Sequence, residues 1–200
     1  MNVKLRAVVL LALAASLATA TDYIKGNSFG NPSAPVMVEV FSDFQCPGCK
    51  VFHDTEFSRL MKEYVAPGKV YLIYRYFPLD MHPYGRKAAE VVAAAAQLGK
   101  YEQAADIAFA KQQEWGASGK IEETVDNVLT SAEQQKLKGL MQSPAVQQTI
   151  THDVNEGKAV PIPGTPTLVV TYRLKRYTLG GREVLKYEWV KAMLDDLLSK

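Results

Sequence analysis

Two short runs of apolar and β-branched residues in the first half of the chain predict strands that are covered on both faces. These runs are Val36–Phe41 and Val70–Phe77. Between them, starting at Cys46, apolar residues recur at helical spacing until Pro67 and Gly68 end the helix. Because the crossover between the strands is this short, the unit is predicted to be a parallel β-α-β with a right-handed connection.

The middle of the chain, from Pro83 to about Gly157, has no strand pattern and repeated helix signals. We expect four or five helices there. The signals are an alanine-rich run, a second apolar run, a capping-box pattern and a serine followed by proline: Ala88–Leu98, Tyr101–Trp115, Ser131 with Gln134, and Ser143–Pro144.

The last part of the chain returns to strand patterns. Thr167–Arg173 and Lys175–Leu179 predict a pair of strands that ends near Gly180–Gly181, and Tyr187–Leu198 predicts an amphipathic helix. The polar segment 21–35 leads into the first long strand and could hold a short strand at Tyr23–Lys25. The order β-α-β, helical block, β-β-α favours an open α/β sheet wrapped by helices.

The first 20 residues have the pattern of a secretory signal peptide. Lys4 and Arg6 precede the uncharged run Ala7–Ala20, which ends in the small residues Ala18-Thr19-Ala20. This run is shorter than the roughly 20 residues that span a bilayer as a helix. We expect cleavage after Ala20 and a periplasmic or otherwise exported protein, an uncleaved anchor being the alternative.

Charge and length limit the partners and the organisation of the exported chain. Without residues 1–20 it carries 21 basic and 21 acidic residues and is formally neutral. Since it also lacks a basic block, we expect no nucleic-acid partner. About 180 residues are enough for one domain with its own core, or for a domain with an insertion.

The only two cysteines, Cys46 and Cys49, are separated by Pro47 and Gly48. Exported proteins use disulfides as staples, but a bridge between these two closes a tiny loop and restrains little of the unfolded chain. A bond that is repeatedly made and broken explains the pair better.

Half of a metal site is the competing interpretation of two cysteines at this spacing. Structural zinc takes four ligands, and the chain offers no second cysteine pair. The histidines His53, His82 and His152 do not have the spacing that would complete a site. We therefore expect no metal.

The position of the motif between strand and helix has a chemical consequence. Cys46 at the helix N-terminus has its thiolate stabilised by the backbone N–H groups and the macrodipole, which lower such a pKa to roughly 3.5 to 7. Pro47 suits the first helical position. Cys46 is thus predicted to be the exposed attacking thiolate, and Cys49, one turn deeper, the resolving thiol. Gly48 adds no side chain, so we expect a less oxidising centre than one with histidine there.

Glu39 is the one charged residue within the first long strand. Buried among apolar neighbours, its carboxyl would have a raised pKa and could shuttle the proton that Cys49 must lose. The alternative is that this face of the strand is open to solvent and Glu39 is an exposed acid.

The segment GNPSAPVMVEVFSDFQCPGC, Gly30–Cys49, resembles the DsbA-like branch of the thioredoxin superfamily. Phe77-Pro78-Leu79 and Gly164-Thr165-Pro166-Thr167 are similar to the same branch, and the resemblance covers essentially all of residues 21–200. It implies a thioredoxin fold with an all-helical insertion, at about 83–157, between its two halves.

The resemblance also implies roles for individual residues. The Thr165–Pro166 bond is expected to be cis and to face the cysteines, aligning the substrate strand. Cys46 would be the nucleophile, Cys49 the resolving thiol and Glu39 the buried acid. The lead-in residues 43–45 receive no catalytic role.

Gly48 departs from the family pattern, in which the best-known members carry histidine or an aromatic residue before the second cysteine. This leaves the direction of electron flow open. The leading hypothesis is a monomeric thiol oxidase acting on reduced or misoxidised exported proteins and reoxidised by a membrane redox partner, with the Cys46–Cys49 disulfide in place of a cofactor. A reductase or isomerase using the same site, and a non-catalytic chaperone or binding module, are the alternatives.

Overall fold

The computed structural model of the protein describes residues 27–160 and 162–200. The predicted leader at 1–20, the short strand expected at Tyr23–Lys25 and Pro161 lie outside these ranges. Within them, no helix is long and apolar enough to cross a membrane.

A mixed sheet forms the centre of the described chain. Its strands are β1 (Ser28–Phe29), β2 (Val36–Ser42), β3 (Val70–Tyr76), β4 (Thr167–Tyr172) and β5 (Lys175–Gly180). They lie in the order β1-β3-β2-β4-β5. The β2–β3 pair is parallel, as predicted, and the other neighbouring pairs are antiparallel.

The helical segment between β2 and β3 is continuous but not uniform. It consists of α1 (Pro47–Phe52), a π-helical turn (His53–Phe57), α2 (Ser58–Leu60) and a second π-helical turn (Met61–Val65). Gly68, with φ of +76°, follows the segment in the left-handed conformation that favours glycine.

Six helices lie between β3 and β4 in the described chain, against the four or five expected. They are α3 (Gly85–Gln97), α4 (Tyr101–Ala110), α5 (Gln112–Ser118), α6 (Ile121–Asp126), α7 (Ser131–Met141) and α8 (Pro144–Ala159). The run predicted as one helix, Tyr101–Trp115, divides at Lys111. The final helix, α9 (Tyr187–Leu198), has the predicted bounds. The thioredoxin fold with a helical region between its halves is therefore confirmed.

The central strands bury both faces, and the two faces differ in chemistry. Because side chains alternate along a strand, Val38, Val40 and Ser42 share one face of β2, whereas Glu39 and Phe41 share the other. The first face belongs to the main hydrophobic core, together with both cysteines. The strand pattern found in the sequence therefore also assigns each residue of β2 to a face.

The capping box of α7 lies one residue earlier than predicted. Thr130, in an extended conformation, is the N-cap, and its hydroxyl accepts a hydrogen bond from the backbone N–H of Glu133. The Glu133 carboxylate in turn accepts from the Thr130 backbone N–H at 2.8 Å. Gln134, the expected partner of Ser131, donates instead to the carbonyls of Asp126 and Leu129. The sequence TSAEQ satisfies the pattern in both registers, which is why the sequence alone did not separate them.

Replacing Thr130 with alanine is expected to lower the free energy of unfolding by about 1 kcal/mol, because the backbone N–H of Glu133 loses its acceptor, the Thr130 hydroxyl. The control Ser131→Ala removes the hydroxyl of the neighbouring residue, which does not cap the helix, and should change stability by less than about 0.5 kcal/mol. Urea unfolding of both variants measures this, and an equal or larger loss in Ser131→Ala would contradict the observed register.

Candidate active site

Cys46 lies at the junction of β2 and α1 that the sequence predicts. It is the N-cap residue of α1, with extended backbone angles, and Pro47 occupies the first helical turn. Its residue surface is 8% exposed, whereas Cys49, one turn further, is fully buried. Cys46 is thus less exposed than expected, but it remains the more accessible of the two sulfurs.

The Cys46 thiol has an unusually low pKa. The pKa of Cys46 is lowered from 9.0 to about 5, and the largest cause is a hydrogen bond from the Cys49 side chain. Burial opposes this shift, whereas the Thr165 side chain and the backbone N–H groups of Cys49 and Gly48 contribute to it. At neutral pH Cys46 is therefore a thiolate.

Cys49 has the opposite behaviour. Burial raises the pKa of this thiol well above its ordinary value, and the neighbouring Cys46 sulfur adds to the effect. Hydrogen bonds from the Asp43 backbone N–H, at 3.3 Å, and from the Ser42 hydroxyl act in the other direction. The reduced pair therefore holds one proton, on Cys49, and presents one thiolate, on Cys46.

The loop before β4 faces the cysteine pair. The Thr165–Pro166 peptide bond is cis, as the resemblance implies. The Cys46 sulfur lies 3.4 Å from the Thr165 carbonyl oxygen. A Cβ atom added at Gly48 would lie only 3.2 Å from the Pro166 ring, so the missing side chain lets the motif and the loop pack closely.

Glu39 is buried, as one interpretation predicted, but its surroundings are not apolar. One carboxylate oxygen accepts hydrogen bonds from Arg75 at 2.6 and 2.9 Å, and the other accepts from Arg176 at 2.9 Å. Asp153 pairs with the same Arg75 at 2.8 Å. Since Glu39 points to the face of β2 opposite to Ser42 and the cysteines, its position does not support the proton-shuttle hypothesis.

Asp43, which was given no catalytic role, organises the loop that leads into the motif. Its buried carboxylate accepts from the backbone N–H groups of Gln45 and Leu79, at 2.7 and 2.8 Å, and pairs with His82 Nδ1 at 2.6 Å. The contacts tie the motif to the segment between β3 and α3. The sequence signal was an acid between the apolar Phe41 and Phe44, the same signal that drew attention to Glu39.

Two glutamines connect the motif to the helical block. Gln112, on α5, donates to the carbonyls of Phe44 and Cys46 at 2.7 and 2.9 Å. Gln45 accepts from the Tyr84 backbone N–H at 2.7 Å. No pattern in the sequence marks Gln112, because its partners lie more than 60 residues away.

The histidines have individual partners. His53 pairs with Asp106 at 2.9 Å, His82 pairs with Asp43, and His152 lies within α8. Over residues 27–160 and 162–200, no group of three His, Cys, Asp or Glu side chains could hold a metal ion.

Comparisons with known proteins agree with this geometry. A family model described as thioredoxin matches residues 23–195. The chain belongs to the thioredoxin family. A relative named probable disulfide bond formation protein D, from Bacillus anthracis, is 26% identical over 161 residues, which are 76% of this chain and 72% of the relative.

Solved structures of DsbA-like proteins share the fold. Oxidised BdbD from Bacillus subtilis superposes with a TM-score of 0.71 at 23% identity, covering 88% of this chain and 95% of that one. Wolbachia pipientis alpha-DsbA1 gives 0.69 at 20% identity, covering 86% and 90%. The family match, the relatives and these neighbours together identify a DsbA-like thiol-disulfide oxidoreductase.

Alkylation of the reduced thioredoxin-family protein by iodoacetamide is expected to depend on pH through Cys46. The rate should be high above a midpoint near pH 5 and fall below it, because only the thiolate reacts. In Cys49→Ala the midpoint should move upward, since the largest cause of the low pKa is lost. A midpoint near 9 in the unaltered protein would contradict the assignment.

Glu39→Gln is expected to leave the rates of mixed-disulfide formation and release unchanged, because Glu39 lies on the other face of the sheet. Its loss of charge between Arg75 and Arg176 should destabilise the fold by on the order of 1 to 3 kcal/mol. Stopped-flow exchange kinetics and urea unfolding measure the two effects.

The matched control for this variant is Glu156→Gln, which removes a more exposed carboxylate 4.0 Å from the same Arg176. This change should leave the exchange rates unchanged. It should alter the free energy of unfolding by no more than about 0.5 kcal/mol. Slower release of the mixed disulfide in Glu39→Gln alone would restore Glu39 as a proton shuttle.

Proposed function

We propose that this protein is an exported thiol oxidase that passes the Cys46–Cys49 disulfide to reduced or misoxidised exported proteins. The observation that carries the proposal is the unequal character of the two sulfurs, with a Cys46 pKa of about 5 beside a buried thiol. A stabilised thiolate makes the reduced form of such a centre favourable, and a favourable reduced form makes its disulfide an oxidant.

The proposed reaction has two exchange steps. A substrate thiolate attacks the Cys46 sulfur, the Cys46–Cys49 bond breaks, and its electron pair goes to Cys49, which takes up a proton. A second substrate thiolate then attacks the substrate sulfur of the mixed disulfide, and Cys46 leaves as a thiolate. Two electrons have passed from the substrate dithiol to the protein, and the substrate holds a new disulfide.

The low pKa of Cys46 favours the oxidising direction in the second step, in which Cys46 is the leaving sulfur. A thiol of low pKa leaves a mixed disulfide readily, because the departing sulfur already carries its charge in a stable form. Gly48 contributes no side chain to this effect. Cys49, Thr165 and the backbone N–H groups of the first helical turn supply the stabilisation instead.

The loop before β4 is the proposed place for a substrate strand. Cys46 faces Thr165 and Pro166, and the Thr165 carbonyl lies beside its sulfur. A peptide bound along this loop would bring its own sulfur to Cys46 rather than to the buried Cys49. The pattern of residues 1–20 supports export, and the cycle requires a membrane redox partner whose disulfide reoxidises the pair.

The test is the transfer of a disulfide to a reduced, unfolded substrate with two cysteines. The oxidised protein should form one substrate disulfide per molecule, and Cys46→Ala should form none above the air-oxidation background. Cys49→Ala, given the same substrate in its disulfide form, should trap a mixed disulfide through Cys46, because the Cys46 thiolate opens the substrate disulfide and no resolving thiol is present. Substrate oxidation that continues unchanged in Cys46→Ala would refute the proposal that the protein catalyses disulfide transfer through this site. Activity confined to reducing or rearranging substrate disulfides would favour the reductase or isomerase alternative.

A further inference from the structure

The main chain of Asp43 contacts both residues of the cysteine pair. Its backbone N–H donates to Cys49 Sγ at 3.3 Å, and its carbonyl accepts from the Cys46 backbone N–H at 3.1 Å. Asp43 lies directly after β2, in the turn that leads to α1. The exchange steps described above give this residue no part, although it touches the sulfur that must leave and attack.

The side chain of Asp43 is held by other parts of the fold. Its buried carboxylate accepts from the backbone N–H of Gln45 through Oδ1 at 2.7 Å, and from that of Leu79 through Oδ2 at 2.8 Å. His82 Nδ1 lies 2.6 Å from the same Oδ2. Leu79 and His82 belong to the segment between β3 and α3, so Asp43 is oriented from outside the cysteine motif.

The start of α3 limits the space around this carboxylate. A Cβ atom added at Gly85, the first residue of α3, would lie 2.9 Å from Oδ1 and 3.1 Å from Oδ2 of Asp43. Because the side chain is enclosed, its direction restricts the orientation of the backbone that carries it. The aim of the Asp43 N–H at Cys49 therefore depends on partners 36 and 39 residues further along the chain.

The donor at Cys49 has its largest effect when that sulfur is a thiolate. Burial raises the pKa of Cys49 well above its ordinary value, and the Asp43 backbone N–H acts in the opposite direction. A hydrogen bond to a charged acceptor is roughly twice as strong as one to a neutral acceptor, so the N–H favours the thiolate over the thiol. Cys49 carries this charge when the disulfide opens and when it attacks a mixed disulfide on Cys46.

We propose that Asp43 is a positioning residue for the redox pair, whose anchored carboxylate holds its own backbone N–H at the Cys49 sulfur and so stabilises the Cys49 thiolate during exchange. In the resolving step, Cys49 gives its proton to solvent and attacks the Cys46 sulfur. The Cys46–Cys49 bond forms and the bond from Cys46 to the other thiol breaks. The electron pair leaves on that other sulfur, which takes up a proton. Opening of the disulfide is the reverse of this step, so one donor serves both directions.

The inference deepens the proposed function, because it concerns the same cysteine pair, but its test does not require oxidase activity. When the reduced protein is mixed with oxidised glutathione, the Cys46 thiolate first forms a mixed disulfide, and Cys49 then displaces glutathione. Acid quenching at successive times, followed by mass spectrometry, gives the rates of both steps. Since glutathione is the only partner, the result is independent of whether the protein oxidises substrates.

Asp43→Asn should slow the resolving step and leave the first step unchanged. An amide has one oxygen, so it cannot accept from both Gln45 and Leu79 as the carboxylate does. We expect the resolving rate to fall by about threefold to tenfold, the size of one hydrogen bond, so that the mixed disulfide accumulates. The first step should keep its rate, because the groups that lower the Cys46 pKa are those of Cys49, Thr165 and Gly48.

Gly85→Ala tests the same anchor without altering Asp43. The added methyl group would push the carboxylate away from its partners, whereas alanine is a better helix former than glycine at this position. This variant should also slow the resolving step and leave the first step unchanged. It keeps the proposal testable if Asp43→Asn does not fold.

Asp153→Asn is the matched control. Asp153 is also a buried carboxylate that accepts from a backbone N–H, that of Tyr76 at 3.0 Å, but it pairs with Arg75 on the Glu39 face of the sheet. The change should lower the midpoint of thermal unfolding and leave both exchange rates unchanged. Thermal unfolding of every variant shows which ones keep the fold.

Two results would overturn the proposal. The first is an unchanged resolving rate in the folded variants among Asp43→Asn and Gly85→Ala. The second is an equal slowing of the resolving step in Asp153→Asn, because the effect would then follow from a loosened fold and not from the position of the Asp43 N–H.

Discussion

The complete burial of Cys49 is the constraint on which the rest of the site depends. A thiolate there would be cut off from water, so Cys49 keeps its proton and offers it as a hydrogen bond to Cys46. The position of Cys46 at the start of α1 adds backbone N–H groups to this stabilisation. The fold therefore creates one reactive sulfur out of two chemically identical side chains by placing them one helical turn apart in depth.

The two faces of the sheet carry different groups: the redox cysteines pack on one face, and buried charged side chains lie on the other. The cysteine face is part of an apolar core; on the opposite face, Glu39, Arg75 and Asp153 form a buried ionic cluster that Arg176 completes. A shift of one residue along β2 would exchange these faces, because side chains alternate. The helical block then fixes the motif from outside, through the hydrogen bonds of Gln112 to the chain around Cys46.

Local patterns predicted much of this structure. The apolar runs of β2 and β3, the helix that starts behind Cys46 and the final helix at Tyr187–Leu198 all depend on neighbours in sequence, so periodicity and turn residues were sufficient to find them. The cysteine pair was equally visible, since its spacing and its place between strand and helix define its chemistry. The roles of these residues in catalysis stay proposals.

The features that the sequence did not show depend on contacts between distant segments. The apolar neighbours of Glu39 along the chain suggested an isolated buried acid, but its partners Arg75 and Arg176 come from other strands. The sequence fits a capping box for α7 equally well at Thr130 and at Ser131, and the structure has the cap at Thr130. Gln112 carries no local signal because its role exists only once α5 has docked against the motif.

The reduction potential of the Cys46–Cys49 pair, measured by equilibration with glutathione at pH 7, tests the central claim most directly. If a buried Cys49 thiol stabilises the Cys46 thiolate as described, the potential should be less negative than roughly −200 mV, in the range of proteins that donate disulfides. A value near about −270 mV, the range of a reducing thioredoxin, would contradict the account.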